Sequence, residues 1–335
     1  MQGHYPQFVR TDETSPQAWR PQGWSGRFYR LFNRLRYVRK VLRLSDDVFM
    51  VETEFLEGHI KVGGIIAPGH LTIGFYHEAK LSRLSGRALD TKRMAISYNG
   101  CVWDAVSRAP ASGVAIYFAE NPTRSIVSKR AHAFLMESGR ASTGARLAHV
   151  CRPTMMGEKL EGAMRSSISM AEHDDGSLDR DTVSTWIGED LLTLASCVID
   201  DVVEGESSSP GKGEANRYEL AIGIEKLLWI DPEIAARPSV SLDDVASIFG
   251  CSRRQVQMAI LEHFGVGFTE LKRCIRLHQA FNAVNEKERY QNISSIAQTY
   301  EFDHLGRFAK YYREMFGILP SNHLRETWRR STPRS

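Results

Sequence analysis

Apolar positions recur at helical spacing through the last third of the chain, and in two places the pattern breaks and restarts within a few residues. Over residues 241–250, Leu242, Val245, Ala246 and Phe249 fall on one side of a helix, behind a capping serine, Ser241, and acids suited to its positive end. Gly250 and Cys251 break the run. Ser252 can cap the next helix, residues 253–264, where Val256, Ile260 and Phe264 face inward, Arg254, Gln255 and Gln257 outward, and Gly265 ends it. The same grammar recurs from Ile293. Ile296, Ala297 and Tyr300 form a buried face, residues 301–304 make the break, and a helix with Phe308, Tyr312 and Phe316 inside runs to Gly317, before Pro320 prevents a restart. A longer basic helix around residues 272–277 separates the two pairs. Helix pairs of this kind, held by a rigid helix, can place two recognition helices in successive major grooves, about 34 Å apart on B-DNA.

Upstream the pattern changes. Between Val48 and Ala119, short β-prone stretches broken by glycines predict a barrel or sandwich, and from Asn121 to Val203 helices dominate. Within residues 185–203, Ile187, Leu191, Leu194 and Val198 alternate by four and three, which fits a dimer seam or a stripe packed on its own domain. Residues 204–214 are small, polar and rich in breakers. The expected fold class is therefore α+β. A sensing or dimerisation domain occupies 1–203, β-rich over about 45–120 and helical over about 121–203; a linker covers 204–215, and an all-α DNA-binding domain 216–330.

From roughly Arg217 to Trp328 the chain resembles the DNA-binding domain of the AraC/XylS family of bacterial transcription regulators. The resemblance rests on an ordered set: Leu242, Val245, Ala246 and Phe249; Ser252 and Arg253; Leu271, Arg276 and Leu277; Ile296 and Ala297; Phe302, Phe308, Tyr312, Arg313, Gly317 and Pro320. One departure is Glu301, where the family usually has glycine before the phenylalanine of the second turn. Another is Leu305 and Gly306, where longer polar side chains are usual. The resemblance implies a cupin-like barrel before the double helix-turn-helix, promoter double-stranded DNA and RNA polymerase as partners, a homodimer, and activation of transcription.

Aligning Ser252 and Arg253 with the family's helix start turns Arg254, Gln257 and Met258 toward the groove, where arginine can pair with guanine and glutamine with adenine. The second unit offers His304 and Arg307 to bases. Ser252, Arg253, Lys272, Arg273, Arg276, Lys310 and Arg313 are candidates for phosphate. The alternative reading is a helical protein–protein interaction module without sequence-specific DNA binding.

Composition changes little. Across 335 residues the formal net charge is +3, too mild to imply nucleic acid by itself, so local clustering matters. No apolar run is long enough to cross a bilayer and the start lacks the order of a secretory signal, so a cytoplasmic protein with no membrane partner is expected. The five cysteines show no C-x-x-C pair and read as small buried residues. His59, His70, His77 and Glu78 include no His-x-His pair, and neither a metal, a cofactor nor an enzyme site is expected.

A second concentration of charge lies near the start. Residues 20–43 carry Arg20, Arg27, Arg30, Arg34, Arg36, Arg39, Lys40 and Arg43, interleaved with aromatics, and no Asp or Glu occurs from Thr14 to Ser45. Three readings stay open: a solvated basic face, extra contacts to DNA phosphates, or a pocket for an anionic effector. On the last, Arg30, Arg34, Arg36, Arg39 and Arg43 are the candidates. Residues 30–34 and 39–43 each resemble the Arg-x-x-x-Arg element of PilZ-type cyclic dinucleotide receptors, whose companion Asp/Asn-x-Ser-x-x-Gly motif is absent.

Overall fold

The computed structural model describes residues 6–13, 24–31, 35–77, 79, 82–138, 146–175, 180–205, 212–230, 240–285 and 292–331. The chain divides into two compact units, the first comprising Met1–Phe28, Leu35–Glu57 and Lys61–Lys212, the second Tyr29–Arg34, Gly58–Ile60 and Gly213–Ser335. Two short pieces of the N-terminal half thus belong with the C-terminal helices.

The first unit is built on two sheets, as the glycine-broken β pattern requires. A seven-stranded sheet has, in order, β1 (Gln7–Glu13), β3 (Arg36–Arg43), β4 (Val48–Glu57), β11 (Ala111–Phe118), β6 (Leu71–Tyr76), β9 (Arg93–Tyr98) and β12 (His149–Cys151). A five-stranded sheet has β2 (Trp24–Arg30), β5 (His59–Ile66), β10 (Val102–Arg108), β7 (Arg83–Leu84) and β8 (Arg87–Ala88). All the pairings around β4 and β11 are antiparallel. Side chains therefore alternate in face: Val114, Ile116 and Phe118 of β11 join Val48 and Met50 of β4 in the main core, while Ala115 and Tyr117 meet Phe49 and Val51 on the opposite face. Both faces are covered, which is why these strands read as nearly continuous apolar runs.

Helices α1 (Glu120–Ile126), α2 (Lys129–Glu137), α3 (Met155–Glu172) and α4 (Arg180–Glu204) follow, and cover the main-core face. Leu160, Met164 and Ile168 of α3 and Leu191, Ala195 and Val198 of α4 are all buried there. The stripe Ile187, Leu191, Leu194 and Val198 accordingly packs on its own domain, and that face is not available as a dimer seam. Glu161, nearly fully buried on α3, receives His77 at 2.9 Å, Arg165 at 3.0 Å and Lys92 at 2.6 Å. Burial pushes its carboxyl pKa up, but these partners outweigh burial and hold it below the usual carboxylate range.

The expected α+β class is what the chain adopts, with the β-rich half first. In the second unit come α5 (Lys212–Leu228), α6 (Leu242–Ile248), α7 (Arg253–Phe264), α8 (Phe268–Asn285), α9 (Ile293–Thr299), α10 (Leu305–Phe316) and α11 (Pro320–Ser331). Between α4 and α5 the breaker-rich stretch lies largely outside the described residues. Buried Cys274, Leu277, Ala280 and Val284 of α8 share one core with Ile296, Ala297, Phe308 and Tyr312, so α8 is the spine on which the second helix pair is assembled.

Candidate nucleic-acid interface

Each helix pair is set by its caps. Ser241 and Asp244 form a reciprocal capping box at α6, and Ser252 and Gln255 form another at α7, with Ser252 N and Oγ donating to Gln255 Oε1 at 2.8 and 2.9 Å. Gln255 is therefore a cap and not an outward reader, and the Ser252 hydroxyl proposed for phosphate is engaged in the same box. Asn292 caps α9 through Ser295 N. At the other ends, Gly265 and Gly317 take the left-handed conformation that closes α7 and α10, where a side chain would be strained.

The two turns have one geometry. Gly250, between α6 and α7, has φ 60°, and Glu301, between α9 and α10, also has φ 60°. Their hydrogen bonds correspond: Gly250 N donates to Ser247 O and Cys251 N to Ala246 O, as Glu301 N donates to Gln298 O and Phe302 N to Ala297 O. Glu301 in place of the family's usual glycine thus leaves the shape of the second turn unchanged. A non-glycine residue holds the left-handed position while its carboxylate pairs with Arg276 of α8. Glu301→Ala and Glu301→Gly both remove that pair, but only alanine keeps the backbone strain. Alanine should thus be the less stable of the two by about 1 kcal/mol in urea unfolding. Equal stabilities would mean that residue 301 is not left-handed in solution.

On α7, Val256, Ala259 and Ile260 are buried, whereas Arg254, Gln257 and Met258 are exposed. These three form one outward face, and Leu261, 55% exposed one turn further on, extends it. Leu261 escaped attention in the sequence because an apolar residue there matches the core pattern as well as it matches a reading face. Arg253 is exposed and pairs with Asp243, which raises its pKa. On α10, Phe308, Tyr312 and Met315 are buried, and Leu305, Gly306, Arg307, Lys310 and Arg313 are exposed. His304 sits at the N-cap without a side-chain capping bond, so its imidazole is not committed to its own helix. Lys310 lies 3.9 Å from Glu314, a solvated pair of little consequence.

The basic residues of α8 are differently placed. Lys272 Nζ donates to Val240 O at 2.7 Å, and burial, aided by Arg276, pulls its pKa below the usual lysine value. Arg273 pairs with Glu270 and lies over the Tyr311 ring at 4.5 Å, and Arg276 pairs with Glu301. All three tie α8 to its neighbours, because a long cation in a packed helix spine finds acids, carbonyls and rings before it finds solvent.

The arginine run is not one surface. Arg30 is 7% exposed and belongs to the second unit, where its guanidinium donates to Met315 O; it leaves the effector set because its charge is buried and engaged. Arg34 lies outside the described residues. Arg36 is exposed at a bulge opposite Glu57, whereas Arg39 and Arg43 pair with Thr53 and Phe49 on the face of β3 that also carries Val41. The Arg43 guanidinium lies 5.0 Å from the Phe49 ring centroid. On that same face Val51, Thr53, Phe55 and Tyr117 help line an apolar cleft within the first unit. His70 bonds Pro68 O and His77 bonds Glu161, and among the described residues no group of three or more His, Cys, Asp or Glu converges. No helix of the described residues is long and apolar enough to cross a membrane.

A family model for a helix-turn-helix domain matches residues 245–326. The chain is 30% identical over 104 residues to a probable thc operon regulatory protein of Rhodococcus erythropolis, covering 31% of each chain. It is 34% identical over 89 residues to the XylDLEGF operon transcriptional activator of Pseudomonas putida, covering 26% of this chain and 28% of that protein. The matched segment thus spans less than a third of the length of these relatives. A solved structure of a probable AraC family transcriptional regulator from Rhodopseudomonas palustris is 24% identical with a TM-score of 0.29, covering 33% of this chain and 97% of that one.

Proposed function

The C-terminal helix-turn-helix domain is of the AraC/XylS family, and on that premise we propose that the chain is a sequence-specific regulator that binds promoter DNA through α7 and α10. The observation that carries the reading is the pair of matched turns, each closing a short helix onto a longer one whose outer face is left to solvent. Arg254 and Gln257 supply the donor and acceptor groups that distinguish guanine and adenine edges, and Met258 and Leu261 offer apolar contact to a thymine methyl. In the second helix, Leu305 and Gly306 cannot hydrogen-bond through their side chains, so His304, Arg307 and Lys310 carry its contribution, more to phosphate than to bases. Lys272, Arg273 and Arg276 act chiefly as internal ties. Activation is favoured by the function of the Pseudomonas relative, and RNA polymerase is the partner that activation requires.

Repeated selection of a random duplex pool by the full-length protein tests the proposal. Enriched sites should carry two blocks about one helical turn, 10–10.5 base pairs, apart, with the sharper preference under α7. A pool that stays random would leave the helices as a protein-interaction module.

For the effector, Arg39 and Arg43 are the candidates that share a sheet face with residues lining an apolar cleft, whereas Arg36 lies at the bulge. This favours a compact anion with an apolar body over a cyclic dinucleotide held by two Arg-x-x-x-Arg forks. Calorimetric titration of the full-length protein should show heat with aryl or alkyl carboxylates that is lost in Arg39→Ala/Arg43→Ala. Heat only with cyclic dinucleotides, or heat unchanged in the double variant, would overturn this assignment.

A further inference from the structure

Three consecutive residues far from the helix-turn-helix motif in sequence are bonded into the second unit. The Tyr29 hydroxyl donates to Glu225 Oε1 of α5 at 3.0 Å. Arg30 N donates to His278 Nε2 of α8 at 3.0 Å, and the Arg30 guanidinium donates to Met315 O in the last turn of α10. Leu31 O accepts from Cys274 Sγ of α8 at 3.1 Å, and Leu31 N donates to His59 O at 2.7 Å. Tyr29 and Leu31 are buried to within 1% and Arg30 to within 7% of full burial.

The chemistry of each contact is complementary. Met315 O belongs to the last helical turn, whose carbonyls lack intrahelical partners and carry the negative end of the helix dipole, so a guanidinium satisfies both the hydrogen bond and the charge. His278 Nε2 lies 3.0 Å from Arg30 N and 3.3 Å from Arg30 O, so in either tautomer the ring is bonded to the Arg30 backbone. Burial first, and the neighbouring Arg30 charge second, bring the His278 pKa down to about 3, so the ring stays neutral across the working pH range.

We infer that Arg30 is a positioning residue for DNA reading, setting the pose of the second recognition helix by fixing the C-terminal end of α10 against α8. The inference rests on the proposed DNA-reading function. Its leverage is geometric. A helix of 12 residues is about 18 Å long, so a tilt of about 5° pivoted at its anchored end moves the N-terminal reading residues by roughly 1.5 Å. That displacement exceeds what a base-edge hydrogen bond tolerates. Arg30 touches no base itself on this account; it acts through Met315 and the helix axis.

Two measurements on the full-length protein test this. Hydrogen exchange should quicken across residues 305–316 in Arg30→Ala while residues 253–264 keep their protection, and Arg30→Lys, which retains one donor, should recover part of the loss. Selection from a random duplex pool should then keep the block read by α7 and flatten the block read by α10, with about tenfold lost discrimination there. Unchanged exchange over residues 305–316, or equal loosening of both recognition helices, overturns the positioning role whatever the DNA result. Failure of the unmodified protein to enrich any site would instead overturn the DNA-reading function, while the exchange data still decide whether Arg30 anchors the helix.

Discussion

Phe308→Ala is expected to destabilise the second unit by about 3–5 kcal/mol, the largest effect of any single substitution considered. Phe308 is fully buried on the inner face of α10, with its ring centroid 4.9 Å from that of Phe302 and 5.5 Å from that of Tyr312. Alanine would leave a void at the junction of α8, α9 and α10, which share this core. The surrounding rings are held by one another and cannot all collapse into it. Urea unfolding should show the loss, with Lys310→Ala on the exposed face of the same helix changing stability by no more than about 0.5 kcal/mol. A loss below about 1 kcal/mol for Phe308→Ala would mean that α10 is not packed through this face.

Arg254→Ala carries the second large effect, a loss on the order of 1–3 kcal/mol on the preferred site together with relaxed preference at the base it reads. The residue is exposed near the start of α7, and its neighbours divide the work: Ser252 and Gln255 cap the helix while Arg253 pairs with Asp243. Those engagements leave Arg254 as the arginine directed outward from the first turn. Competition binding on a series of single-base variants of the selected site measures the effect. The same loss on every sequence would assign Arg254 to phosphate contact instead.

How much of this was legible in the sequence depends on the range of the cause. Ser241, Ser252, Gly265 and Gly317 end or begin helices for reasons confined to a few neighbouring residues, and both helix pairs were readable from them. Glu301 was not readable in the same way, because the residue type argues against a left-handed turn and only the corresponding hydrogen bonds and the Arg276 pair explain it. The basic residues of α8 looked like phosphate ligands because their partners, Val240, Glu301 and Tyr311, are all remote in the sequence. The arginine run misled most. Its described residues fall on β2 (Trp24–Arg30) and β3, and strand pairing with distant partners decides which face each one meets. A one-sign charge run along the chain therefore does not become a one-sign surface. Arg30 is the extreme case, since its partners His278 and Met315 lie 248 and 285 residues away.

The most direct measurement of the central claim is a titration of the full-length protein, across a range of salt, with a duplex recovered by selection and with bulk DNA of equal length. DNA reading predicts that affinity for both falls linearly in log–log form as salt rises, through counterion release, and that the selected duplex stays tighter by roughly 10³-fold or more at physiological salt. Equal affinity for the two DNAs at every salt concentration, or no binding to either, would contradict it.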